Sequence, residues 1–163
     1  MLVRPTKSVR ETGVRGDRPG MLVTKTGHKF PSIEFDSALD IPDAADGATV
    51  LWIDEPFMFT EQDRLFEIVQ QERLRRTILI STLGATNDMA CISDAVGRLL
   101  MVADRIRHCR ADCDYCEAMG RATRSVYVGD APKLGKVKVG GASAYRAACP
   151  GCWNPTAALP AST

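Results

Sequence analysis

Thr49-Val50-Leu51-Trp52-Ile53-Asp54-Glu55 is the stretch on which the fold turns. It follows a breaker, Gly47, and runs apolar for the length of a strand before ending abruptly in two carboxylates. A continuous apolar run of this kind predicts a central strand covered on both faces. Carboxylates at the C-terminal end of such a strand stand where open α/β sheets bind ligands. One of them there can hold Mg²⁺, directly or through water, and a second can take a proton from a substrate hydroxyl. The same pair also suits a helix N-terminus or a solvated turn, and Pro56 fits the turn.

Downstream of Glu55, residues 60–75 carry the clearest helical pattern. Leu65, Phe66, Ile68 and Val69 form an apolar stripe, Thr60 with Asp63 resembles a capping box, and Arg73, Arg75 and Arg76 suit the C-terminal dipole. Thr77-Ile78-Leu79-Ile80-Ser81-Thr82-Leu83 then predicts a second buried strand, stopped at Gly84. Strand, helix, strand at this spacing is a parallel crossover, so the fold class is α/β. A further helix is expected from Ser93 to about Val102, with Leu99, Leu100 and Val102 facing inward, and 103–109 leads onward as a further strand. Upstream, Met1-Leu2-Val3 opens a short strand that Pro5 ends or places at an edge. Residues 6–20 read as a charged loop in which Lys7, Arg10, Arg15 and Arg18 meet solvent or phosphates, His28 reads as a surface residue, and Pro42-Asp43 marks a short helix start.

The last third of the chain is organised differently. Cys113-Asp114-Tyr115-Cys116 and Cys149-Pro150-Gly151-Cys152 are two C-x-x-C pairs separated by thirty-two residues. Each pair can turn through a knuckle, and two thiolates from each complete a tetrahedral Cys₄ site of the kind that holds structural zinc. Two disulfides, or four unrelated thiols, are the competing readings. Nothing at the N-terminus resembles a secretory signal, which favours a reducing, cytoplasmic setting in which disulfides are disfavoured. Four protein ligands leave no open coordination position, so such a metal pins loops and does no chemistry. Between the knuckles, 123–128 and 136–139 read as strands joined by a turn-rich loop, Gly140-Gly141 follows the second strand, and Tyr145 offers a ring either to a ligand or to the knuckle. Cys91 and Cys109 read as buried thiols.

The whole has 163 residues, 45% hydrophobic and 25% charged, with formal net charge +1. That suits one globular domain plus a small module, here 1–106 and 107–153, with a Pro- and Ala-rich disordered tail at 154–163. Near-neutral charge gives no argument for nucleic-acid or membrane binding, and no apolar run approaches a membrane span.

The order of these features resembles the type II thymidine kinases, the zinc-containing family of cellular and large-DNA-virus enzymes. The matching pieces are Val50-Leu51-Trp52-Ile53-Asp54-Glu55, the strand end at Leu83, Cys113-x-x-Cys116 and Thr123-Arg124. The string Val137-x-Val139-Gly140-Gly141-x-x-x-Tyr145-x-x-x-Cys149-x-x-Cys152 completes them. The resemblance implies a P-loop α/β domain with a zinc-ribbon lasso that closes over thymidine. It implies Glu55 as the base toward the nucleoside 5′-hydroxyl, Asp54 at the Mg²⁺ of ATP, and Arg10 near the phosphates. Val137, Val139, Gly140 and Gly141 would bind the thymine edge through the backbone, Tyr145 would sit against the nucleoside, and Leu83 and Thr123 would line the pocket. A tetramer is the assembly the family implies.

The departures are as specific as the matches. The 163 residues contain no Gly-x-x-x-x-Gly-Lys-Ser/Thr loop, and Met1-Leu2-Val3 corresponds to the second family strand, so an N-terminally truncated kinase domain is expected. Ser8, Pro56-Phe57-Met58, Gly84 and Asn87 also stand where the family has other residues. Two functions follow from this. One is a thymidine kinase whose phosphate cradle lies upstream or on another chain; the other is a non-catalytic, kinase-derived nucleoside-binding or assembly module. Little or no ATP-dependent turnover is expected of this polypeptide alone.

Overall fold

A computed structural model describes residues 1–6, 20–23, 27–85, 91–116, 118–128, 133–134, 137–138 and 145–153. The chain divides into two compact units, Met1–Gly84 with Ser93–Val102, and Ala85–Ile92 with Ala103–Thr163.

The first unit is built on a four-stranded sheet of β1 (Leu2–Pro5), β4 (Ile33–Phe35), β5 (Val50–Asp54) and β6 (Thr77–Ser81), in the order β4-β1-β5-β6. All three pairings are parallel, as the crossover reading requires. A short antiparallel hairpin of β2 (Met21–Val23) and β3 (Lys29–Pro31) lies in the connection between β1 and β4. These three strands, β2 to β4, fall in a stretch with little alternation, so no periodic signal marks them. Helices α1 (Ile41–Ala44), α2 (Gln62–Glu72) and α3 (Asp94–Met101) complete the unit.

Alternation along β5 decides where the core sits. Leu51 and Ile53 are fully buried, whereas Val50 is exposed and Trp52 half-buried. Leu51 and Ile53 join Val3, Ile41, Phe59, Leu65, Ile68, Val69 and Leu99 in one apolar cluster, with Ile78 and Ile80 packed against it. The expectation of a strand covered on both faces is therefore corrected. On the opposite face Phe30 meets Trp52 edge-on at 5.8 Å, but Val50 and Leu79 remain exposed. β6, expected to be buried, is exposed at alternate positions for the same reason, and it ends the sheet among the described residues. β1 is an interior strand, not an edge; Pro5 is tolerated because it is the last strand residue and lies beyond the pairing with β5.

Buried polar groups tie the hairpin to the sheet. Arg4, 1% exposed, pairs through Nε with Glu34 Oε1 at 3.1 Å and donates to the Met21 carbonyl at 2.9 Å. Glu34 also accepts from Ser32 Oγ at 2.5 Å and from the Gly20 N–H at 2.7 Å. Burial pulls the Glu34 carboxyl upward, but the Ser32, Gly20 and Arg4 donors together outweigh it and hold the carboxyl below its usual value.

Helix α2 begins at Gln62, and Thr60 does not cap it: Glu61, at φ 50°, is the N-cap and makes no side-chain cap bond. The Thr60 hydroxyl instead lies within hydrogen-bond reach of the Asp36 carbonyl and the Glu61 carboxylate, with one proton to share between them. The C-terminal Arg76 pairs with Glu72 at 2.8 Å and donates to the carbonyls of Ala45 and Ala48, closing α1 onto α2. In α3, Ser93 is a true cap, its Oγ accepting from the Val96 N–H at 3.2 Å. Leu99 is buried, but Val102 is 37% exposed because the helix has already ended at Met101. Arg98 lies over the Phe66 ring at 3.9 Å, so Phe66, the member of the apolar stripe that is only partly buried, is covered by a cation.

In the second unit β7 (Arg124–Tyr127) pairs antiparallel with β10 (Tyr145–Ala148), and β8 (Lys133–Leu134) with β9 (Val137–Lys138). The segment 103–110 forms no strand: it has no ladder partner among the described residues and is exposed throughout. Cys91 and Cys109 are exposed, not buried, because both lie on surface segments and not in a core. The tail at 154–163 lies outside the described residues. No helix among the described residues is long and apolar enough to cross a membrane.

Candidate active site and candidate metal centre

Asp54 is the last residue of β5, and Glu55 follows it directly at the C-terminal end of the parallel sheet. Glu55 has φ 48° and ψ 49°, left-handed backbone that a side chain with Cβ rarely adopts. Pro56 after it would by itself favour extended backbone for Glu55, so the left-handed conformation is imposed by the surrounding structure. Such a conformation costs on the order of 1–3 kcal/mol and persists only where its surroundings over-determine it, as they commonly do at functional sites. Here Pro56 and Phe57 are buried in a 3₁₀ turn, and the Gln62 side chain donates to the carbonyls of Phe57 and, at 3.3 Å, of Phe59. The turn that aims Glu55 is thus clamped from the first residue of α2.

Ser81 on β6 touches both acidic residues. Its hydroxyl lies 2.5 Å from Asp54 Oδ1, and its carbonyl accepts the Glu55 N–H at 2.9 Å. Trp52, on the same face of the sheet, donates its indole N–H to Ser81 Oγ at 2.7 Å. Neither Trp52 nor Ser81 was a sequence candidate for this site. The available signal was parity: Asp54 is opposite Ser81 in the register, and Trp52 is two residues from Asp54 on the same strand face. Leu83 lies two residues beyond Ser81 and is 47% exposed.

The four cysteines come together. Sγ atoms of Cys113, Cys116, Cys149 and Cys152 all lie within 4.8 Å of one another, with Cys116 and Cys149 at 3.8 Å. A tetrahedron with metal–sulfur bonds of about 2.3 Å has edges of about 3.8 Å, so the spacing fits a Cys₄ site. The two knuckles are brought into register by the backbone. The Asp114 N–H donates to the Ala147 carbonyl at 2.9 Å, the Ala147 N–H returns to the Asp114 carboxylate at 2.6 Å, and the Cys152 N–H closes its own turn on the Cys149 carbonyl at 3.0 Å.

Electrostatics at the cluster favour a cation. The Cys149 N–H donates to Cys113 Sγ at 3.3 Å, and this bond, with those from the Tyr115 and Cys116 N–H groups, brings the Cys113 thiol down to about 6 against the pull of burial. The Cys152 N–H is the main cause that lowers Cys149. Cys152 moves the other way, up to about 12, because the Cys116 and Cys149 sulfurs crowd it. Four sulfurs at this separation cannot all carry charge unless a cation shares it, and a divalent metal there would take the place of the retained proton. Disulfides are not what the sulfurs form here: all four cysteines are free.

Thr123 is exposed and its N–H donates to the Ala148 carbonyl at 3.2 Å. Tyr145 is partly buried and packs edge-on against Tyr127 at 5.2 Å; burial and then Tyr127 raise its hydroxyl above the usual tyrosine value. Val137 lies in β9. Arg10, Val139, Gly140 and Gly141 lie outside the described residues, as do Lys7, Ser8, Arg15, Arg18 and Asn87.

A family model described as thymidine kinase matches residues 7–153. The chain belongs to the thymidine kinase family. The match runs through both the acidic strand end and the four-cysteine cluster, so the two sites lie within one thymidine kinase family region. No curated protein matches the chain.

Proposed function

We propose that this chain is a thymidine kinase-like protein of the zinc-containing type, built for the ATP-dependent phosphorylation of the thymidine 5′-hydroxyl in cytoplasmic nucleoside salvage. The single observation that carries the reading is Glu55, held left-handed beside Asp54 at the end of β5, in a chain of the thymidine kinase family. Glu55 takes the proton of the nucleoside hydroxyl, a role that needs a carboxylate fixed in direction, and the Pro56 turn supplies that fixity. Asp54 holds Mg²⁺, which supplies neutralisation of phosphate charge when bound. Arg10 approaches the phosphates. Leu83, Thr123, Tyr145 and the backbone of Val137, Val139, Gly140 and Gly141 receive the nucleoside. Cys113, Cys116, Cys149 and Cys152 hold zinc, in keeping with an all-sulfur donor set at tetrahedral spacing.

A second reading is favoured by one feature of the sequence. The 163 residues contain no Gly-x-x-x-x-Gly-Lys-Ser/Thr loop, the element whose amides and lysine cradle a triphosphate. On that reading the chain binds nucleoside, or joins an assembly of family members, without turnover. Transfer of labelled phosphate from ATP to thymidine, run beside Glu55→Gln and beside thymidine binding by calorimetry, separates the two. We expect thymidine binding with little or no turnover by this polypeptide alone. Appreciable turnover abolished by Glu55→Gln establishes the active kinase, and absence of thymidine binding removes both readings.

A further inference from the structure

We propose that Ser81 is a positioning residue for the acidic strand end, and that Trp52 sets the direction in which it acts. The proposal rests on the reading of Asp54 as a cation-holding carboxylate and extends it to two residues outside the acidic pair. An indole N–H can only donate, so in the 2.7 Å contact Ser81 Oγ must accept from Trp52. A serine hydroxyl has one proton, and with its oxygen engaged by Trp52 that proton points to Asp54 Oδ1, 2.5 Å away. The result is a directed chain, Trp52 to Ser81 to Asp54, crossing from β5 to β6 and back. Each donor in such a chain strengthens the next. Asp54 Oδ1 is thereby held as the acceptor at the end of the chain.

Ser81 also reaches the second carboxylate, through the backbone. Its carbonyl accepts the Glu55 N–H at 2.9 Å, the bond that anchors the left-handed residue to the neighbouring strand. One residue on β6 therefore fixes the side chain of Asp54 and the main chain of Glu55. Removal of the hydroxyl leaves the main-chain bond in place, so the two effects are separable by substitution.

The chain has two tryptophans, Trp52 and Trp153, so the Trp52 indole N–H is readily assigned in a ¹H–¹⁵N spectrum of the full chain with Trp52→Phe as reference. Asp54→Asn is expected to shift that indole resonance although Asp54 is not the indole's partner, and to leave it unmoved in a Ser81→Ala background. MnCl₂, followed by paramagnetic broadening, is expected to bind Ser81→Ala about ten-fold more weakly than the unaltered chain, as loss of an orienting partner commonly causes. Ser81→Thr, which keeps the hydroxyl, is expected to restore binding. An indole resonance indifferent to Asp54→Asn overturns the directed chain. Equal Mn²⁺ binding by Ser81→Ala and the unaltered chain, with binding lost in Asp54→Asn, overturns the positioning role and leaves the Asp54 reading standing. No Mn²⁺ binding, or binding unchanged by Asp54→Asn, removes the Asp54 reading and the positioning role with it.

Discussion

In the sheet unit Leu51, Ile53, Leu65 and Val3 are fully buried in one continuous apolar cluster. In the second unit, among the described residues, the buried apolar set is small: Ile92, Ala122, Val126, Tyr127 and Ala148 beside Cys113. The first unit has enough apolar surface to order its backbone by burial alone. The second does not, and its two knuckles are joined instead by sulfur atoms within 4.8 Å of one another and by the paired bonds of Asp114 and Ala147. A large core tolerates the loss of one contact; a small module stapled at one point does not.

The sharpest way to break this contrast is to remove the staple. Chelation, or Cys113→Ser, is expected to abolish the fixed environment of Tyr127 and Tyr145 completely, seen as loss of their near-ultraviolet dichroism, while the Trp52 signal of the sheet unit persists. Metal analysis under reducing conditions is expected to find about one zinc per chain before chelation. If both signals disappear together, the units do not differ as described.

Leu51→Ala probes the other side of the comparison. It empties a site in the middle of the cluster and is expected to cost about 4 kcal/mol in denaturant unfolding of the sheet unit, with metal content unchanged. Glu34→Gln leaves Arg4 buried without its counter-charge, for an expected loss of about 3 kcal/mol. That loss depends on pH. Because the folded Glu34 carboxyl lies below its ordinary value of 4.5, its contribution is complete above pH 4.5 and disappears as pH falls through the lowered value. Stability curves of the unaltered chain and Glu34→Gln should therefore converge in acid. The smallest effect expected is that of Ser93→Ala, about 1 kcal/mol for the lost cap of α3.

Much of this was legible in the residues. The apolar run 50–53, the stripe of α2 and the second apolar run 77–80 gave a parallel crossover because their periods were strong and their lengths ordinary. The cysteine spacing pointed to the four-cysteine cluster, since few other arrangements use two C-x-x-C pairs. Weak periodicity hid β2 to β4, and the same weakness hid the Arg4–Glu34 network, which joins residues thirty positions apart. The reading of Thr60 as a cap failed because Glu61 takes the left-handed region and the Thr60 hydroxyl is used by the Asp36 carbonyl.

What the sequence determined by itself is local and periodic: which runs become strands or helices, which cysteines can share a cation, and which two carboxylates end a strand. Tertiary structure alone decided that Trp52 and Ser81 meet beside Asp54, that β1 is interior, and that one face of β5 stays partly open. Those facts depend on strand order and register, which bring distant residues within 3 Å through backbone pairing, and no local pattern encodes which strand lies next to which.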